Sequence, residues 1–313
     1  MCRSERIGKL RRGTGLARAG KITVMSDYLG VNAANWDARA EVHMGPGGYN
    51  VDVLDDPAWL SSVVRFDLPR LGDVRGLDAL HLQCHVGTDT IGLSRLGARL
   101  TGVDLSSRSL EYARVLAERA GAQIDYVQAD VYSAPEALGG RTFDLVYTGI
   151  GALCWLPDIR KWGQTVARLL RPGGRLCVRD AHPVLNSVIG LVVRDHHPDR
   201  DQQPDISGPG VATPALELPY WENEEGLTWS DEVSYTGQAP VLSPVSREWN
   251  HALSEIVMAV LDAGLTLELL QEHDSVPWDA LPGLMVQDEA GEHRLAQRPQ
   301  RLPASFTLLA CKP

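Results

Sequence analysis

Two acidic residues and two histidines carry the first chemical information in this 313-residue chain. Asp104 closes the β-rich run ARLTGVDL at 98–105, and a carboxylate at a strand end can accept two hydrogen bonds from a ribose diol. The segment QCHVGTDT at 83–90 follows an earlier apolar run, where Gly87 permits a tight turn and Thr88 or Asp89 is placed to cap the next helix. His182, in RDAHP, and His251, in REWNHALSEI, carry imidazoles whose ordinary pKa of about 6.5 suits a general base. Asp180 and Glu248 are near enough in the chain to orient them. Each of these residues also has an ordinary structural role open to it. The DLSS sequence makes Asp104 a candidate helix cap, Asp130 can be a solvated loop acid, and a buried histidine commonly bonds to backbone.

The elements that must position these residues alternate in type. Apolar or β-rich runs lie at 79–84, 98–105, 124–130, 143–149 and 174–180, with helical stretches such as SRSLEYARVLAERAG between them. Such alternation predicts a doubly wound, mostly parallel α/β sheet, with right-handed crossovers that bring the strand C-termini to one edge. A helix from about His251 to Ala263, a strand at 265–273 and a strand at 305–311 add a C-terminal antiparallel hairpin. Residues 28–45 read as an amphipathic helix ending in the turn GPGG, and Tyr28 and Trp36 on it are candidates to close over a ligand. Residues 182–247 break the rhythm, being rich in Pro, Asp, Gly and aromatics, and read as an inserted lid for a flat or hydrophobic substrate or as a surface excursion held down by its aromatic residues. The expected division is a disordered tail at 1–24, a lid segment at 25–78, a ligand-binding core at 79–181, a lid insertion at 182–250 and the rest of the sheet at 251–313.

Composition narrows the function. Hydrophobic residues make up 44% of the chain, enough for a full core, and no run of about 18 apolar residues predicts a membrane span. Cys2, Cys84, Cys154, Cys177 and Cys311 form no CxxC pair or Cys/His cluster, so neither a disulfide framework nor a metal site is expected. The setting this suggests is the cytoplasm. A net charge of -10 disfavours a nucleic-acid partner. The exception is residues 1–24, with seven basic residues against Glu5 alone. They read as a dispensable or misassigned start, with a polyanion-binding arm as the alternative.

Over residues 79–180 the chain resembles the class I S-adenosylmethionine methyltransferase family, a Rossmann-like fold. The resemblance is carried by GARLTGVDLS, QAD, FDLVYTGIGAL and LLRPGGRL in that order. It implies S-adenosylmethionine as cofactor, with Asp104 on the ribose hydroxyls, Leu105 on an adenine face, Asp130 at the adenine amino group, Val131 at the ring edge and Gly149 near the methyl donor. Family members usually carry D-x-G-x-G-x-G in the first loop, where this chain reads His81, Gln83, His85 and Gly87. The backbone of Gln83 and His85 is then expected to hold the amino-acid end of the cofactor, at a steric cost if those positions need positive φ. The activity implied is methyl transfer to an oxygen or nitrogen of a small molecule, with His182 and His251 as candidate bases. The competing readings are a non-catalytic cofactor- or partner-binding module that keeps the fold, and a nicotinamide oxidoreductase, which the missing G-x-G-x-x-G disfavours.

Overall fold

Two helices, α1 (Tyr28–Met44) and α2 (Ser62–Leu71), precede the first strand in the computed structural model, which describes residues 28–193, 212–236 and 239–313. The basic tail expected at 1–24 lies outside the described residues, as does the stretch 194–211 of the insertion. Five strands then follow at the positions the apolar runs mark: β1 (Asp78–Leu82), β2 (Arg99–Asp104), β3 (Ile124–Gln128), β4 (Phe143–Thr148) and β5 (Leu170–Ala181). They are mutually parallel and alternate with α3 (Thr88–Arg95), α4 (Ser107–Arg119), α5 (Ala134–Ala137) and α6 (Ile159–Leu169).

Beyond β5 come a short helix α7 (Pro183–Asn186) and two hairpins, β6 (Val188–Val193) with β7 (Ala212–Leu216) and β8 (Leu227–Ser230) with β9 (Val245–Glu248). The insertion read as irregular therefore contains paired strands. The run VIGLVV at 188–193 carries a β-rich signal that the reading of 182–247 as irregular passed over, whereas the strands LTWS and VSRE are too short to show one. Next are α8 (Leu253–Asp262), β10 (Thr266–His273), a small sheet of β11 (Ser275–Val276), β12 (Met285–Gln287) and β13 (His293–Leu295), and finally β14 (Ser305–Cys311).

The main sheet runs β10-β14-β5-β4-β1-β2-β3, with β14 antiparallel to both neighbours. Chain order reverses between β1 and β4, so the crevice for a ligand opens at the C-terminal ends of those two strands. One face is packed by α6 and α8 around Trp162, Phe143, Phe306 and Val166, all essentially inaccessible to water. The other face is covered by α2 and α3 through Val64, Leu71, Leu93 and Tyr147. Full burial of both faces explains why β4 reads as a continuous apolar run. A buried ion pair fixes the 275–295 sheet to the core. Arg179 on β5 donates from Nη2 to Glu292 Oε2 at 2.6 Å and from Nη1 to Oε1 at 3.2 Å, with its guanidinium over the Phe66 ring.

α6 and α8 approach closely because position 163 has no side chain. A Cβ on Gly163 would run into the carbonyl oxygen of Ala259. Gly163→Ala is expected to destabilise the fold by about 1–3 kcal/mol through forced separation of the two helices. Denaturant unfolding measures this, and an unchanged midpoint would show that the helices separate without cost.

Candidate functional site

The loop after β1 is the most constrained backbone at the sheet edge. Gln83 has φ 58°, His85 φ 50° and Gly87 φ 77°, so all three glycine positions of the family loop keep the left-handed conformation although only one of them is glycine. A non-glycine residue there costs on the order of 1–2 kcal/mol, and local bonds offset it. Gln83 Nε2 donates to Ala152 O at 2.9 Å, tying this loop to the one after β4. The His85 N–H donates to Asp104 Oδ2 at 2.8 Å, and its ring lies 3.0 Å from Ser109 Oγ and 2.7 Å from His43 Nδ1. At Gly87 a Cβ would collide with the Tyr126 hydroxyl, so glycine is required there for space as well as for φ. Gly87, rather than Thr88 or Asp89, occupies the N-cap position of α3, with no side-chain cap.

Asp104 stands half-buried at the end of β2, with Oδ2 held by the His85 N–H and Oδ1 by the Ser106 N–H at 2.9 Å. Burial, with Asp37 adding to it, pushes its carboxyl up to about 6 against those two donors. The cap of α4 is Ser106, whose Oγ accepts from the Ser109 N–H and donates to Asp37, so the carboxylate of Asp104 is not spent on the helix. Leu105 beside it is half-exposed. Asp130 caps the 3₁₀ turn Val131–Ser133 by accepting from the Tyr132 and Ser133 N–H groups. The Val131 side chain turns into the core and is 5% exposed, which leaves its backbone to face a ligand.

The loop after β4 carries Gly149 and is organised from the neighbouring strand. Asp180 on β5 accepts from the Gly151 N–H at 2.6 Å, Leu153 N–H at 2.7 Å, Ala152 N–H at 3.2 Å and its own neighbour Ala181 at 2.7 Å. Burial pushes this carboxyl up to about 6 and the four amide donors hold it down. Asp180 was expected to orient a histidine. Its oxygens instead serve these amides, and the described contacts of the His182 ring are elsewhere: Nδ1 accepts from the Val184 N–H as the cap of α7, and Nε2 lies 2.9 Å from Glu272. His251 likewise has Nε2 at 2.8 Å from Leu156 O and Nδ1 at 2.7 Å from Glu222. The hydrogen-bond geometry leaves His182 Nε2 and His251 Nδ1 without a bonded partner among the described residues, each with a carboxylate close by.

A cover of polar and aromatic side chains closes the edge. Trp36 on α1 stands 5.0 Å from the rings of both His85 and Trp155, bridging the loops after β1 and β4. Tyr28 meets the Trp249 ring edge-on at 5.4 Å. His43, also on α1, reaches Ser234 Oγ with Nε2 at 2.6 Å, and burial holds its pKa down near 4. Next to this cover, a cavity of about 90 Å³ is lined by Cys154, Leu227, Trp229, Glu248, Trp249 and the asparagines 186 and 250. A smaller one reaches from shared wall residues to Leu153, Asp180 and His251 at the sheet edge. Glu248 was missed as a primary site residue because nothing in REWNH marks its carboxylate as facing a cavity.

These residues fit the cofactor that the sequence resemblance implies. The first loop keeps its left-handed path, Asp104 is half-exposed, and Gln83 Oε1 is a buried acceptor without a partner among the described residues, suited to an ammonium group. The ideal Cβ position at Gly149 meets nothing nearer than His81 Nε2 at 3.5 Å. His81, where the family acid would stand, is buried and bonded through Nδ1 to Thr90 Oγ1 at 2.9 Å, and burial lowers its pKa to about 3. Among the described residues no group of three His, Cys, Asp or Glu side chains is placed to hold a metal ion, and no helix is long and apolar enough to cross a membrane.

Residues 79–174 match the family described as "Methyltransferase domain". The chain is 35% identical over 123 residues to the demethylmenaquinone methyltransferase of Lactococcus lactis, covering 38% of this chain and 48% of that protein. It is 34% identical over 122 residues to the ubiquinone biosynthesis O-methyltransferase of Methylocella silvestris, covering 38% and 46%. The chain thus spans about half the length of these curated relatives. A solved S-adenosylmethionine-dependent methyltransferase from Mesorhizobium loti aligns with a TM-score of 0.49 at 19% identity, over 83% of this chain and 100% of that one.

Because one carboxylate holds three consecutive amides of the loop after β4, Asp180→Asn is expected to cost at least about 2 kcal/mol, the scale of a lost charge-assisted hydrogen bond. It should also raise the hydrogen-exchange rates of Gly151, Ala152 and Leu153. Unchanged protection of those three amides would mean that the loop is held by something other than this carboxylate.

Proposed function

Residues 79–174 form a domain of the class I S-adenosylmethionine-dependent methyltransferase family, and from that premise we propose that the whole chain transfers a methyl group from S-adenosylmethionine to an oxygen or nitrogen of a small-molecule metabolite. The observation that carries the reading is the first loop. Three left-handed residues, two of them paying a steric cost, are kept beside a half-buried carboxylate at the switch point of the sheet. The relatives named for quinone and ubiquinone methylation are small-molecule enzymes by description, which supports a low-molecular-weight acceptor.

In this reading Asp104 accepts from the ribose hydroxyls and Leu105 packs on one face of the base. Asp130 and the backbone of Val131 take the polar edge of that base, while the backbone of Gln83 and His85 with Gly87 cradles the amino-acid end. Gln83 Oε1 accepts from its ammonium, and Gly149 leaves room at the reacting centre. The bound cofactor supplies an electrophilic methyl carbon on a sulfonium. What remains for the protein is positioning and exclusion of water, the main sources of acceleration for an in-line displacement. Trp36, Tyr28 and Trp155 provide the water-excluding cover. His182 and His251 remain the candidate bases on the acceptor side, each with a carboxylate, Glu272 or Glu222, against one ring nitrogen.

Calorimetric titration of S-adenosylmethionine and S-adenosylhomocysteine into the wild-type chain and Asp104→Ala tests the donor site. Binding is expected in the wild type and a loss of at least about 10-fold in the variant, matching one or two charge-assisted hydrogen bonds. No heat with either ligand in a folded wild-type sample would exclude the reading.

A further inference from the structure

The cavity between the loop after β4 and the β8–β9 hairpin is the strongest unassigned feature of the described molecule. Resting on the methyl-transfer reading above, we propose that this cavity is the acceptor subsite, that it takes a small alkylamine, and that Glu248 both binds the amine's N–H group and receives its proton.

The chemistry of the walls selects the ligand. Glu248 is half-buried and lines the cavity, and its one described hydrogen bond is a long one, from Ser246 Oγ at 3.4 Å. An ionised carboxylate has about four acceptor positions, so most of its capacity faces the cavity unfilled. The asparagine and thiol groups of the wall are already committed, whereas the indole N–H groups of Trp229 and Trp249 are buried without a partner among the described residues. Asn250 Nδ2 donates to Pro183 O and Pro219 O, both at 2.9 Å, and to Ser187 Oγ at 3.0 Å, while Asn186 Nδ2 donates to Asn250 Oδ1. The Cys154 thiol donates to Gly151 O, and burial together with Glu248 keeps it protonated. The rest of the wall is Leu227, Trp229 and Trp249.

A carboxylate beside two indoles can hold an alkylammonium by a charge-assisted hydrogen bond, with the aromatic rings close to the cation. A carboxylate or phosphate ligand would meet repulsion from Glu248. An alcohol could donate to Glu248 and accept from an indole N–H, but it brings no charge to the carboxylate.

Position and proton affinity agree with a role in the reaction. The cavity shares Cys154, Asn186, Trp249 and Asn250 with the smaller one that reaches Leu153 and Asp180, next to the loop that carries Gly149. Burial raises the Glu248 carboxyl to about 7, with Asp231 adding to the rise and Arg39 opposing it. A base of that strength can take a proton near neutral pH. One N–H proton of the bound ammonium passes to Glu248, which frees the nitrogen lone pair. The lone pair then forms the N–C bond as the S–C bond breaks and leaves its electron pair on sulfur. The product departs as the methylated ammonium, and Glu248 returns its proton to water.

The test uses propylamine and propan-1-ol, matched in shape, differing in the amine and small enough for a cavity of about 90 Å³, titrated calorimetrically into the full chain saturated with S-adenosylhomocysteine. Wild type is expected to bind the amine more tightly than the alcohol. Glu248→Gln should weaken the amine by roughly 10-fold or more and leave the alcohol and the S-adenosylhomocysteine affinity unchanged. Trp229→Leu, altering the opposite wall, should weaken the amine by about 3-fold or more, which keeps the test decisive if the first variant folds poorly. Equal amine binding by both variants, equal binding of alcohol and amine by the wild type, or no amine binding up to about 10 mM while S-adenosylhomocysteine binds, overturns the assignment of this cavity. Failure of S-adenosylhomocysteine itself to bind overturns the donor reading, and the acceptor assignment falls with it.

Discussion

The backbone amides of the strand-end loops have to be satisfied away from water, and in this protein two buried carboxylates do it from the flanking strands. The sheet order β5-β4-β1-β2 puts the crevice between β4 and β1. Asp104 on β2 reaches inward to hold the loop after β1, and Asp180 on β5 reaches inward to hold the loop after β4. Both carboxyls are pushed up to about 6 by burial, so each is ionised at neutral pH only because backbone donors surround it. The cost of burying these charges is offset locally, and the result is a crevice whose two lips are fixed independently. Gln83 then joins the lips through its bond to Ala152 O.

The cover over this crevice is held by a different kind of force. The buried face of α1 includes Asn32, Asn35, Arg39 and His43 as well as Ala40 and Val42. Asn32 donates to Arg247 O and accepts from the Arg247 N–H, acting toward β9 as a neighbouring strand would, and Asn35 donates to Ser243 O. Lifting a polar face exposes groups that water can satisfy, so it costs less than exposing an apolar face of the same area. Such a cover opens at less cost than one built from leucines. The His43–His85 contact belongs to the same design: it joins α1 directly to the strained loop, and it persists only while the two rings are not both charged.

The strands of the core were legible because burial on both faces leaves uninterrupted apolar runs, and each observed strand from β1 to β4 lies within two residues of its expected bounds. The roles of the loop residues were harder to read. Left-handed φ is cheap for glycine and rare for glutamine or histidine, so nothing local announces it at 83 and 85, and only contacts to Asp104, Ala152 and Ser109 maintain it. Proximity along the chain offers Asp180 and Glu248 only as groups to orient the neighbouring histidines or as helix and strand-end charges. Their actual surroundings, three amides from the loop after β4 in one case and a tryptophan-walled cavity in the other, come from segments distant in the chain. The 275–295 sheet escaped notice for a similar reason, since it depends on Glu292 reaching Arg179 across 113 positions.

Family likeness and specificity therefore occupy different parts of the chain. The match covers residues 79–174, which supply Asp104, Asp130 and the loops after β1 and β4. The cover comes mostly from α1, with Trp155 from the matched segment, and most of the cavity wall comes from residues 227–250 outside it. Cys154 is the wall residue contributed by the shared domain, and Trp249 donates its N–H to Cys154 O at 2.7 Å, so the variable wall is docked onto the shared loop by a backbone bond indifferent to side-chain identity. A join of that kind lets the hairpin change its residues without disturbing the donor side. It also means that the match over residues 79–174 bears on the crevice and much less on the cavity beside it.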